Sequence, residues 1–211
     1  MDSRAILKPK NALAANDLFG ESNDQLVNIL APLKKTGGLI FPFRPIVTLA
    51  ADAEYDESFH FTHTNYKYLA YVKSAPQPIS VEAIFTSQTD VEARYTLAAM
   101  HFMRTVTKNY FGQTDLVRAG TPPPILSFNY LGTYMFKNVP VVVKNFSIIL
   151  DNKVDYVPVR FNNISENTDV PTQLTMTITL EPQYNPQEVR QTFDLSKFRT
   201  GELLKNNKGF I

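Results

Sequence analysis

The chain has 211 residues, 44% of them hydrophobic, which is enough for one ordinary domain with extensions and too apolar for a disordered chain. Its 21 basic and 20 acidic side chains leave a formal charge of +1, so it lacks the basic excess of a dedicated duplex-DNA binder. It has no cysteine, which excludes a disulfide framework, thiol catalysis and thiolate metal sites.

Residues 1–40 read as an N-terminal extension. Lys8, Lys10, Asn11 and Asp17 break up any apolar signal core, and the longest apolar runs, such as Val139 to Val143, are far too short to span a bilayer. Neither a signal peptide nor a membrane anchor is expected. Asp24 to Ala31 has the spacing of a short helix, with Leu26, Val27 and Leu30 on one side and Pro32 as its stop. Such an arm needs a neighbour to order it.

Residues 41–181 read as the folded domain. Arg44 to Leu49 is a candidate strand, followed by an acidic turn with Asp52, Glu54, Asp56 and Glu57. Ser58 to Thr64 and Tyr66 to Lys73 are rich in strand-forming residues, with Asn65 between them and Pro76 and Pro78 beyond. Ile79 to Phe85 alternates, placing Ile79, Val81 and Ala83 on one face. The clearest helix covers 90–110. Thr89 and Glu92 form a capping box, and Val91, Tyr95, Ala98, Ala99, Phe102, Val106 and Tyr110 recur as one apolar stripe that Arg94, Arg104 and Lys108 avoid. Gly112 is positioned to end it.

After the rigid Thr121 to Pro124, the reading returns to β-structure. Ile125 to Asn129 is a short strand, Leu131 to Thr133 a turn, Val141 to Leu150 a strand, Asp151 to Lys153 a turn and Val154 to Val159 a return strand. Gln173 to Leu180 alternates most sharply. Leu174, Met176, Ile178 and Leu180 share one face, and Gln173, Thr175, Thr177 and Thr179 the other, as in a sheet with one dry side and one wet one. Residues 182–211 have no clear period and read as a C-terminal extension. The residues therefore read as a mostly-β domain with one clear helix, in the α+β class.

Candidate chemistry is sparse. His60 and His63 stand three apart in a predicted strand and so point to opposite faces, and His101 flanks the helix stripe; all three read as structural or surface residues. The acidic cluster at 52–57 lacks the glycine and distal glutamate of a calcium loop. There is no phosphate-binding glycine loop, nucleophile elbow or HExxH. No catalytic, cofactor-binding or metal site is expected.

A series of segments is more distinctive: Phe61-Thr-His-Thr-Asn-Tyr66, Ala83-Ile-Phe-Thr-Ser-Gln-Thr89, Glu92-Ala-Arg-Tyr95, Met100-His-Phe-Met-Arg104, Lys108-Asn-Tyr-Phe-Gly112, Ala119-Gly-Thr-Pro-Pro-Pro124 and Phe136-Lys-Asn-Val-Pro-Val-Val-Val143. In order and spacing this series resembles the tail tube initiator and baseplate tube-like proteins of contractile-tailed bacteriophages, over roughly residues 43–181. The resemblance implies antiparallel β-sheets packed as a sandwich or barrel with one flanking helix, in a non-enzymatic virion protein of the tail baseplate, assembled in the host cytoplasm. Six copies would form a ring that nucleates the tail tube around a DNA channel. Implied partners are other copies of the chain, the baseplate hub, the tail tube protein and neighbouring sheath or wedge proteins, with DNA only as passing cargo and no cofactor. Gln173, Thr175, Thr177 and Thr179 would line the channel. The alternatives are a hub or wedge adaptor of the same fold, a tail-associated hydrolase, and a generic β-sandwich binding module.

Overall fold

The computed structural model describes residues 4–10, 15, 18–19, 23–58, 62–111, 119–161 and 165–211. The protein is α+β and mostly β, and every strand pairing among the described residues is antiparallel. In chain order the elements are β1 (Ile6–Pro9), α1 (Ala31–Thr36), β2 (Leu39–Ile40), β3 (Ile46–Thr48), β4 (Ala51–Asp56), β5 (Ala70–Pro76), β6 (Ile79–Thr86), α2 (Asp90–Val106), β7 (Leu126–Tyr130), β8 (Phe136–Leu150), β9 (Tyr156–Val159), β10 (Thr168–Pro171), β11 (Gln173–Pro182), α3 (Pro186–Thr192), α4 (Leu195–Arg199) and α5 (Glu202–Lys205). Seven strands form one sheet in the order β2-β1-β7-β8-β11-β6-β3, and β9–β10 and β4–β5 are separate two-stranded ribbons.

The large sheet is forced to fold back on itself. From Ile40, at the β2 edge, to Ile46, at the β3 edge, the chain has six residue steps, which span at most roughly 21 Å. A flat sheet would hold β2 and β3 about 29 Å apart across six strand spacings. The β2-β1-β7 half therefore comes over the β11-β6-β3 half, with the 15-residue β8 shared by both: its start pairs with β7, and Val141 to Leu150 pair with β11. The rings of Phe41, just past β2, and Phe85, in β6, lie 6.0 Å apart, and the Tyr130 hydroxyl donates to the Pro45 carbonyl at 3.2 Å. One contiguous core fills the fold.

The helix α2 starts where its capping residues place it. The Thr89 hydroxyl accepts from the Glu92 amide, while the Glu92 carboxylate reaches back to the Gln88 amide rather than to that of Thr89. It ends at Val106, earlier than the sequence reading, and Gly112 lies outside the described residues. Ala98, Phe102 and Val106 are buried as expected, and Tyr95 is half-buried. Three expectations are corrected, the first being Tyr110, which lies beyond the end of the helix and is exposed. Val91 is 66% exposed, because it sits in the first turn beyond the core. Arg94 is buried, because α2 is covered by the β9–β10 ribbon as well as the sheet. Its guanidinium is satisfied by the Asp90 carboxylate, the Gln25 and Arg160 carbonyls and the face of Phe161.

The N-terminal segment belongs to the fold. Expected as an extension needing a neighbour, residues 1–40 instead supply β1 and β2 to the main sheet and Leu7, Phe19, Leu33 and Leu39 to the core. Pro32 does not stop a helix there. It occupies the first turn of α1, where its missing N–H costs nothing, and Gly37 ends the helix in the left-handed region.

The acidic turn is likewise a strand. Asp52, Glu54 and Asp56 lie in β4, paired with β5 through the Glu54–Lys73 ion pair at 3.0 Å and the Tyr55–Tyr71 ring contact. The partner strand is Ala70 to Pro76, later than expected, and residues 62–69 carry no regular structure. Tyr156 to Val159 does not return along β8 but pairs with β10, forming the ribbon over α2.

The 182–211 segment reads in the sequence as an extension without a clear period. It is ordered on its own chain. Asn185 and Asp194 cap α3 and α4, the Tyr184 and Phe210 rings stack at 5.1 Å, and Lys208 pairs with Glu188 at 2.7 Å. Gly209 passes so close to the Asn138 carbonyl that no side chain fits there.

Candidate functional site

β11 is the centre of the candidate face, flanked on both sides along its length by β6 and β8. Its period of two sorts its side chains cleanly. Leu174, Met176, Ile178 and Leu180 are all buried, whereas Gln173 is exposed and Thr175, Thr177 and Thr179 are half-buried on the other face. The same pairing brings further residues onto that outer face, which the sequence reading did not single out. Thr175 stands between Ile84 and Ile149, Thr177 between Glu82 and Ser147, and Thr179 between Ser80 and Asn145. β3 adds Ile46 beside Glu82 and Thr48 beside Ser80. A β-bulge follows Thr179, and nearby Lys144 pairs with Glu181 at 3.1 Å.

The face is therefore mostly hydroxyl and amide, with the cross-strand Lys144–Glu181 ion pair at one end. Glu82 places a negative charge in its middle, and Arg44 lines the same hollow beside Glu82, Ile84 and Gln173. Such a surface can hydrogen-bond to a polyanion, but its nearly balanced charges offer little net Coulombic grip.

The two lateral boundaries of this face are open. Among the described residues, β3 has a strand partner on one side only, and residues 142–150 of β8 have none on the side away from β11. Apolar side chains stand exposed at both: Phe43 and Ile46 beside β3, Ile149 and Leu150 at the end of β8. The opposite end of the seven-stranded sheet is closed differently. The Tyr95 hydroxyl donates to the Ile40 carbonyl and accepts from its amide, both at 2.8 Å, so it satisfies the polar groups of the β2 edge. Burial raises the Tyr95 hydroxyl to about 12, against its bonding to Ile40.

Among the described residues the remaining titratable groups do not converge. Among the described residues no three His, Asp or Glu side chains are arranged to hold a metal. His63 lies in a turn with a left-handed backbone, not in the predicted strand, and His60 is outside the described residues. His101 is half-buried on α2, where burial and then Arg104 lower its pKa. Asp56 is lowered by the Ser58 amide and hydroxyl, a local turn interaction. No helix among the described residues is long and apolar enough to cross a membrane.

No protein-family model matches the chain, and no curated protein matches it significantly in sequence.

Proposed function

We propose that the protein is a structural ring subunit of a contractile phage tail: six copies at the baseplate form a channel segment that nucleates the tail tube. The observation that carries this reading is the pair of open edges on the four-strand half β3-β6-β11-β8. Because neighbouring strands alternate in direction, β3 and β8 run oppositely. Rotating one copy about an axis on the hydroxyl side sets its β3 beside the next copy's β8 in antiparallel fashion. This head-to-tail contact closes when the rotation closes. Closure removes both open edges and buries the apolar residues at the seam. With six copies of four strands spaced about 4.8 Å apart, the circumference is ~115 Å, or ~37 Å across before strand tilt widens it. That leaves a bore wide enough for a double helix.

Gln173, Thr175, Thr177 and Thr179 then line the channel with Glu82. A passing duplex meets mostly hydroxyls and amides with nearly balanced charges, Glu82 beside Arg44 and Lys144 beside Glu181, so it slides without being held. The role is architectural rather than catalytic. Its partners are further copies of the chain, the hub on one side, the tube protein on the other and the sheath or wedge around them, in the virion tail. Negative-stain microscopy of the purified protein, alone and mixed with its tube protein, tests this directly. Six-fold rings that seed tubes are expected; a three-fold or ringless component would overturn the reading.

A further inference from the structure

The β4–β5 arm and the C-terminal segment leave the sheet at the same end. The arm is rooted between Thr48 and Ile79, and Thr48 pairs with Ser80, which pairs with Thr179. Two to three residues further on, β11 finishes beside Val141 and Val142 of β8 and passes into the 183–211 segment. That segment and the β7–β8 turn enclose a groove of about 370 Å³ at this end, lined by Leu49, Tyr134, Met135, Phe198, Leu203 and Phe210, with Arg199 in its wall. Lys205 sits over the Tyr134 ring at 5.2 Å.

The arm has the opposite character and, among the described residues, no core beneath it. β4 and β5 pack chiefly on each other, and Tyr66, Leu69, Tyr71 and Val72 are all more than half exposed. A two-stranded ribbon alone is marginal in water. Its charge complements that of the groove segment. Residues 49–78 carry four acidic side chains against two lysines, while 183–211 carry five basic side chains against three acidic ones.

We infer that the groove receives the β4–β5 arm of a second copy of this chain, the neighbour across the β3–β8 seam; the inference rests on the ring proposed above. The arm hangs from β3, the strand at the seam. The copy docked there presents, at the same end, the start of its β8 and the groove beside it. The arm's exposed aromatic and leucine side chains fill the apolar floor, and its acidic strand faces the basic wall. Each subunit thus grips the next at two separate places, one through backbone pairing and one through side chains.

The cysteine-free chain allows both places to be read separately. Leu69→Cys and Met135→Cys variants, both at exposed positions, are mixed and oxidised to report the arm contact. Thr48→Cys and Ser147→Cys, also exposed, report the seam in the same way. Melting curves of all four check that folding is retained. The proposal expects interchain disulfides in both mixtures, and loss of the arm product alone when Arg199→Glu is added to the Met135→Cys chain. A seam product without an arm product overturns the docking but leaves the ring. An arm product without a seam product upholds the docking and overturns the ring. Neither product, with the mixture sedimenting as a monomer, overturns both. A Leu69→Cys/Met135→Cys double variant that closes within one chain, while the mixture gives no dimer, shows that the arm covers its own groove and overturns the proposal. An arm product unaffected by Arg199→Glu overturns the basic wall as its receptor.

Discussion

The central sheet and the β4–β5 arm are built from the same kind of antiparallel pairing, yet they are stabilised in different ways. Every second residue of β11 and β6 is buried in a core shared with α2. The arm has cross-strand pairs but, among the described residues, no apolar layer under it. Its ion pairs, Glu54–Lys73 and Lys67–Glu57, are exposed on both partners and contribute well under 1 kcal/mol each. A strand pairing by itself supplies shape, and the buried face supplies stability. Substitutions in the sheet region should therefore register in folding, and those in the arm in assembly.

The largest effect is expected at Phe102, which is fully buried and stacks near Phe19 with ring centroids 6.1 Å apart. Phe102→Ala should cost about 3–5 kcal/mol in chemical denaturation; an unchanged midpoint would mean that the stripe does not face a core. Arg94→Ala should cost about 2 kcal/mol. It strands the Gln25 and Arg160 carbonyls and the Asp90 carboxylate, although Asp90 is half exposed and keeps its water. The check is the same titration, with Arg94→Lys recovering only part of the loss, because one ammonium cannot reach all three acceptors.

Tyr95→Phe should cost about 1–2 kcal/mol by leaving the Ile40 amide and carbonyl without their partner. It should also change the alkaline limb of stability. The Tyr95 and Tyr184 hydroxyls are held at about 12 by burial, above the ordinary 10.0, so the folded chain keeps these protons more tightly than the unfolded one. Their contribution is complete below pH 10 and is lost as pH rises through 12. Melting temperature followed from pH 9 to 12 should fall less steeply in Tyr95→Phe than in the parent; identical slopes would contradict the burial of that hydroxyl. Thr89→Ala should cost about 1 kcal/mol through the lost cap. Smallest of all, Tyr66→Ala in the arm should shift folding by no more than about 0.5 kcal/mol, while reducing ring yield in sedimentation.

The parts legible in the sequence are those whose period reports their own environment. β6 and β11 alternate because one side faces the core and the other water, and the start of α2 is written in Thr89 and Glu92. The missed elements depend on partners far along the chain. Ile6 to Pro9 is four residues long and includes a lysine and a proline; it becomes a strand because β7 lies ready beside it. The Asp and Ala residues of β4 have low strand propensity, and only their register with Lys73 and Tyr71 makes a ribbon. The candidate face was half visible. The threonines of β11 announced a polar side, but Glu82, Ser147 and Ile149 join it through register, which no single strand encodes. The open edges are a property of topology alone.

The most direct test of the central claim is an electron cryomicroscopy reconstruction of the assembled ring at side-chain resolution. The account predicts six-fold symmetry, β3 of each subunit antiparallel to residues 142–150 of its neighbour, and Thr175 and Thr177 facing the channel. A ring closed through the β2 edge, or one with Met176 toward the channel and Thr175 buried, would contradict it.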